Sequence, residues 1–261
     1  MPEGDTLRRA AEELTPILED RVVTALWFRK LRGHRPRVGD RIHSVDAVGK
    51  YLLIEFDRCL VLHTHLGMAG SWRASPLDRA VPHTPKLRIV IETDAGRALC
   101  FSAPDISTHI SGSGTAPADR IGPDLSNDHA DIDDVVRRSR SGTRPETTLA
   151  ELLLDQTVAA GVGNVFKSEA LFVAGLHPFT LVHDVDDGLL AKLWTTAHRQ
   201  LVANRGRPYR MTTRPGDGGR TYVYGRHRFG CRRCDNAIKF SPAGERTARS
   251  TYWCPSCQPA P

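Results

Sequence analysis

No apolar run in the chain approaches the roughly 20 residues that a membrane helix needs, and no segment repeats. The first residues are polar and charged, unlike the apolar stretch of a secretory signal. These absences lead to the expectation of a cytoplasmic protein without a membrane partner. Cysteines are few, 6 in 261 residues, and four of them fall in two CxxC pairs. In a reducing compartment such pairs bind metal rather than form disulfides. Cys59 and Cys100 lie in apolar runs and are expected in a core. Acidic residues are in the minority, 30 against 36 Lys and Arg, for a net charge of +6. A mild excess is compatible with a polyanionic partner without identifying one.

What is present is more specific. Basic residues crowd the stretch from Arg199 to Arg249, among them Arg205, Arg207, Arg210, Arg220, Arg226, Arg228 and Arg232, with Tyr209, Tyr222, Tyr224 and Phe229 interleaved. Arg dominates this run, and its planar fork pairs with phosphate oxygens or base edges. A solvated basic surface would look the same.

At 261 residues the chain has room for two domains. Thr6 to Leu14 has helical spacing of Leu7, Ala10, Ala11 and Leu14, and Pro16 is expected to end or kink that helix. Short apolar or alternating runs follow at 22–28, 42–48, 51–56, 60–65, 87–92 and 98–101. They predict an antiparallel sandwich or barrel. A Gly/Ser/Pro/Ala-rich stretch from Ser111 to Ala118 predicts a linker or loop. Beyond it the periodicity is helical at 132–139, 147–154, 165–173 and 188–202, and from about Arg220 the chain becomes a zinc ribbon.

Three features carry chemistry. Cys231 and Cys234 are separated by 19 residues from Cys254 and Cys257, spacing that closes a four-thiolate structural site for one zinc ion. Four thiolates leave no open position, so the metal would hold a hairpin rigid, with Arg249 upon it. Gly161-Val162-Gly163-Asn164 leads into a helix. Asn164 there would be an N-cap, or the turn would bring backbone amides to a phosphate. Pro2 and Glu3 follow Met1. Alone, Pro2 is a helix starter. With Met1 trimmed it becomes a secondary amine with a pKa of roughly 7.7–8, nucleophilic toward an aldehyde carbon at neutral pH. Lys50 occupies a turn between strands and is either solvated or a phosphate and proton-transfer group.

Taken in order, six segments resemble the formamidopyrimidine-DNA glycosylase and endonuclease VIII family of base-excision repair. They are Pro2-Glu3-Gly4, Gly49-Lys50, His65-Leu66-Gly67-Met68, Ile121-Gly122-Pro123-Asp124, Leu153-Leu154-Asp155-Gln156 with Gly161-Val162-Gly163-Asn164, and Trp253-Cys254-Pro255-Ser256-Cys257-Gln258. The resemblance implies an α+β multidomain fold: an N-terminal antiparallel β-sandwich with flanking helices (1–118), a helix–two-turn–helix domain (119–218) and a zinc-ribbon module (219–261). It implies a monomer acting on damaged double-stranded DNA, nucleoid-associated in a bacterium. Pro2 would displace the damaged base and form a Schiff base, with Glu3 as acid/base. Lys50 would contact phosphate and donate a proton. Asn164 and Arg249 would grip phosphates around the extruded nucleotide, and Arg120 would contact DNA. Gly67 and Met68 would face the vacated space, with Met68 as the wedge. Strand cleavage by β- and δ-elimination would follow.

Ser102-Ala103-Pro104-Asp105-Ile106 looks like the endonuclease VIII branch, which favours oxidised pyrimidines. Leu66-Gly67-Met68-Ala69 looks more like the purine-directed branch. Asp5-Thr6 stands where many members carry Pro-Glu. A zinc-ribbon protein that binds damaged DNA without chemistry is the reading from a different class.

Overall fold

The computed structural model describes residues 2–242 and 248–260. The chain forms two compact units, 1–120 and 121–261.

The first unit opens with helix α1 (Gly4–Leu18), which buries Leu7, Ala10, Ala11, Leu14 and Leu18. The helix runs through Pro16 instead of stopping there. Proline removes the donor to the carbonyl of residue i−4. That carbonyl belongs to Glu12, on the exposed side, where water can take over. Eight strands follow: β1 (Ala25–Phe28), β2 (Ile42–Val48), β3 (Tyr51–Phe56), β4 (Leu60–His65), β5 (Ser71–Ser75), β6 (Leu87–Glu92), β7 (Arg97–Phe101) and β8 (Asp105–Ile110). They form two antiparallel four-stranded sheets, β1-β6-β7-β5 and β2-β3-β4-β8. The alternation in β3 sends Leu52, Ile54 and Phe56 inward, and they meet Ile89, Ile91 and Cys100 of the other sheet in one core. This is the expected sandwich. Two of its strands, β5 and β8, have no visible period in the sequence because their polar composition hides it. Cys100 is buried as expected, but Cys59 is exposed. It sits in the tight β3–β4 turn with φ +55°, beside Arg58 at +64°.

The outer face of the β2-β3-β4-β8 sheet is polar. His63 on β4 is 5% exposed, and its ring meets His109 edge-on at 5.1 Å. Burial, and secondarily the neighbouring His109, push its pKa down to about 4.

The second unit contains α2 (Ile132–Ser141), α3 (Leu149–Leu152), α4 (Asn164–Ala174) and α5 (Asp187–Asn204). Caps define their starts: Asp131 accepts from Asp134 N, Asp186 accepts from Leu189 N, and Thr148 with Glu151 makes a capping box. Phe166, Leu171, Leu193, Trp194 and Leu201 fill the core between the helices. The ribbon hairpin pairs β9 (Lys239–Ser241) with β10 (Thr251–Trp253).

Two fully buried charges on α4 hold the ribbon. The Glu169 carboxylate accepts from the backbone N–H of Tyr222, Val223 and Tyr224 at 2.8, 2.9 and 2.8 Å, and from the Thr212 hydroxyl. The Lys167 ammonium donates to Ser250 O and Thr251 Oγ1 at 3.0 and 2.9 Å. Phe172, also on α4, stacks on Tyr222 at 5.0 Å.

Two outcomes are expected. The Glu169→Gln variant turns an amide donor toward backbone donors, so it should lose about 1–3 kcal/mol in urea unfolding; unchanged stability would contradict this. His63 is neutral when folded, while the unfolded imidazole titrates near 6.5. As pH falls from about 6.5 toward 4, the unfolded chain therefore binds a proton that the folded chain refuses. Stability should drop across that window, and the His63→Phe variant should show a shallower drop in thermal midpoint.

Candidate active site and nucleic-acid interface

In the first unit, the backbone of Glu3 caps α1: its carbonyl accepts from Thr6 N at 2.9 Å and Leu7 N at 3.3 Å. Its carboxylate-bearing side chain is fully buried, directly after the half-buried Pro2. Pro2 therefore precedes the helix and does not occupy its first turn. Asp5 turns its carboxylate back on its own helix start, accepting from Thr6 N at 2.7 Å. The departure from the Pro-Glu pattern thus leaves a carboxylate at position 5, hydrogen-bonded to the next residue.

Lys50 lies in the two-residue turn between β2 and β3, where Gly49 has φ +58°. The sheet register carries that turn toward other polar groups: Tyr51 pairs with His65, and His65 with Asp105. The Tyr51 and His65 rings lie 5.3 Å apart. His65 is held below its usual pKa by burial and then by the Lys50 charge. Burial, followed by the Asp105 charge, raises the Tyr51 hydroxyl. Gly67 N donates to His65 Nδ1 at 3.2 Å, which fixes that nitrogen as an unprotonated acceptor. The tautomer with hydrogen on Nε2 follows, and Nε2 remains a donor. In the sequence His65 belongs to a motif without a role of its own. The signal for it is the strand register, which a single sequence does not print.

Gly67 and Met68 occupy the β4–β5 turn. Gly67 has φ +58°, and a Cβ there would lie 2.8 Å from Pro104 Cγ, so no larger residue fits. Met68 is 69% exposed. A large apolar side chain held in solvent on a fixed turn is available to enter a gap. Arg120, also exposed, ends the short 3₁₀ turn Pro117–Arg120.

In the second unit, the two turns between α3 and α4 are tied by Gln156. Its amide donates to Leu154 O at 2.9 Å and Val162 O at 3.2 Å, and its oxygen accepts from Gly161 N at 3.1 Å. The N-cap of α4 is Gly163, not Asn164, which is the first helical residue and leaves its side chain available for other work. That side chain is 4% exposed and donates from Nδ2 to Ser250 Oγ at 3.1 Å, while Oδ1 has no partner among the described residues. Turning the amide over exchanges the roles: Oδ1 then accepts from the hydroxyl and Nδ2 becomes a donor without a partner among the described residues. Ser250, which accepts the Asn164 hydrogen bond, directly follows the exposed Arg249 in the chain. The hairpin residues 243–247 lie outside the described residues.

The sulfurs of Cys231, Cys234, Cys254 and Cys257 lie within 4.8 Å of one another. The Cys231–Cys257, Cys234–Cys254 and Cys234–Cys257 separations are 3.8, 3.5 and 3.6 Å. A tetrahedron with metal–sulfur bonds of about 2.3 Å has edges of about 3.8 Å, so the cluster fits a four-thiolate metal ion. Arg233 N donates to Cys231 Sγ at 3.4 Å, the kind of contact that steadies a thiolate.

Residues 1–105 match the formamidopyrimidine-DNA glycosylase N-terminal domain, and residues 121–204 the H2TH domain of the same family. The chain is 36% identical over 262 residues to the DNA-(apurinic or apyrimidinic site) lyase Nei2 of Mycolicibacterium smegmatis, covering 100% of both. It is 34% identical over 265 residues to the probable endonuclease 8 2 of Streptomyces coelicolor, covering 100% of this chain and 95% of that one. Against endonuclease 8 of Escherichia coli O1:K1 the identity is 31% over 269 residues, 99% of this chain and 100% of the other. Among solved structures, MutM (Fpg) of Thermus thermophilus superposes with a TM-score of 0.80 at 26% identity, covering 98% of each chain. The Lactococcus lactis enzyme bound to DNA with an AP site shares the fold, with a TM-score of 0.80 at 20% identity and coverage of 99% and 100%. The chain belongs to the formamidopyrimidine-DNA glycosylase and endonuclease VIII family.

Proposed function

We propose that this protein is a bifunctional DNA glycosylase and AP lyase that removes oxidised bases, chiefly pyrimidines, from double-stranded DNA. The observation that carries the reading is Pro2 directly before the fully buried carboxylate of Glu3 at the start of α1. Removal of Met1 converts the Pro2 amide into a secondary amine. That amine attacks C1′ as the base leaves, and a C–N bond replaces the glycosidic bond. Glu3 moves the proton that opens the sugar ring, giving an iminium at Pro2. The iminium acidifies the C2′ hydrogen, and loss of that proton expels the 3′ phosphate. A second elimination releases the 5′ phosphate. Lys50, next to His65, is the phosphate contact and proton donor in this scheme. Asn164 and Arg249 hold the flanking phosphates, Arg120 adds a contact, and Met68 enters the vacated space beside Gly67. Base extrusion requires such a grip on both sides of the lesion.

We assign zinc to Cys231, Cys234, Cys254 and Cys257; bound there, the ion supplies a rigid staple and leaves no position for substrate. Catalytic, helical and ribbon modules at 1–118, 119–218 and 219–261, acting as a monomer, complete the proposal. None of the described helices is long and apolar enough to cross a membrane, which is compatible with a nucleoid location.

Borohydride added to the protein on a duplex with an abasic site should yield a covalent adduct, and absence of the adduct would overturn the lyase reading. Excision of thymine glycol and 5-hydroxycytosine should exceed that of 8-oxoguanine; the reverse order would reassign the protein to purine lesions. Metal analysis should find one zinc per chain. Chelation should abolish DNA binding while the N-terminal unit stays folded by circular dichroism, and unchanged affinity after complete zinc loss would contradict the staple.

A further inference from the structure

The stretch from Arg29 to Arg37 carries five Lys or Arg among its nine residues and no acid anywhere. Its backbone is fixed to the β8 edge: Arg32 N donates to Ile106 O at 3.1 Å, and Thr108 N donates to Arg32 O at 2.9 Å. The Thr108 hydroxyl donates to His34 O at 2.6 Å. Gly33 has φ +93°, and a Cβ there would lie 2.5 Å from Thr108 O, so this approach requires glycine. The segment is therefore a built turn and not a loose basic run.

Its side chains border a groove of about 1090 Å³ lined by Arg29, Lys30, Arg32, Arg35 and Arg88. One acid, Asp105, also lines it, and that carboxylate is already paired with Arg32. Arg29 and Arg88 converge: Nη1 of each donates to Pro85 O, at 3.1 and 2.5 Å. Among the described residues neither guanidinium has an ion pair. Two like charges gathered on one neutral carbonyl repel each other, and a carbonyl dipole offsets only part of that cost. An oxyanion offset from the carbonyl would neutralise both, and guanidinium forks match its oxygens in pairs.

We propose that Arg29 and Arg88 form a binding site for a backbone phosphate of DNA, with Lys30 and Arg35 continuing it along the strand. The inference rests on the DNA-directed function proposed above. A row of cations along an open groove matches a polymer with regularly spaced charge better than a single small anion.

The test is equilibrium binding of a duplex containing an uncleavable abasic-site analogue, measured across a salt series. The doubly substituted Arg29→Gln, Arg88→Gln protein keeps amide donors for Pro85 O but loses both charges. Its plot of log affinity against log salt should be shallower by about 0.9 for each phosphate left without its arginine. Affinity at low salt should fall several-fold, and in turnover the loss should appear in KM rather than kcat. The Arg29→Lys, Arg88→Lys protein should recover the slope. A Gln protein with the parent's slope and affinity would overturn the site, as would a Lys protein as impaired as the Gln protein. Because the readout is binding, a parent that forms no covalent adduct yet shows this charge-dependent slope would remove the lyase reading and still support the site.

Discussion

The buried carboxylate of Glu169 accepts four hydrogen bonds from a segment more than forty residues further along the chain. Two residues earlier on the same helix, the buried ammonium of Lys167 donates to the strand that follows Arg249. A small ribbon with a short hairpin has little core of its own, and a buried charge left without partners is costly. The two opposite charges therefore commit the ribbon to one seating on α4. Asn164, at the first turn of that helix, then donates to Ser250, the residue after Arg249. The four cysteines of the same ribbon lie close enough to hold a metal ion. The phosphate grip proposed for Asn164 and Arg249 would thus depend on helix–ribbon charge contacts made away from the substrate.

The residues of the other unit to which the chemistry is proposed are set up differently. Pro2 and Glu3 need only a helix start and the burial that the sandwich core provides. Lys50, in the β2–β3 turn, comes near His65 because the next residue, Tyr51, pairs with it in register, and the Lys50 charge helps keep His65 neutral. Gly67 lets the next turn pass under Pro104 and expose Met68. Each group is set by backbone geometry, so the site tolerates few changes in the turns that carry it.

Much of this was legible in the sequence. Helical spacing in α1 and α5 and alternation in β3 give clear periods, because each buries one regular face. The CxxC pairs declare themselves, since thiolate spacing is a local requirement of metal geometry. Pro16 misled because an exposed helix face tolerates a missing donor. Asn164 read as an N-cap, whereas Gly163 caps and the amide serves the ribbon. Lys167 and Glu169 were invisible because charged residues on a helix normally mark its solvated side, and only the ribbon packed over them reverses that meaning. The convergence of Arg29 and Arg88 was equally hidden. Arg88 is a near neighbour of Pro85, but Arg29 reaches the same carbonyl from 56 residues away.

The central claim is that the nucleophile is the α-nitrogen of Pro2, which exists as an amine only after Met1 is removed. The most direct measurement compares borohydride trapping on abasic-site DNA by two preparations of the same chain, one with Met1 removed and one with it retained, each verified by mass. The account predicts an adduct on the Pro2 peptide in the first and none in the second. Equal trapping in both, or an adduct mapped to a lysine, would contradict it.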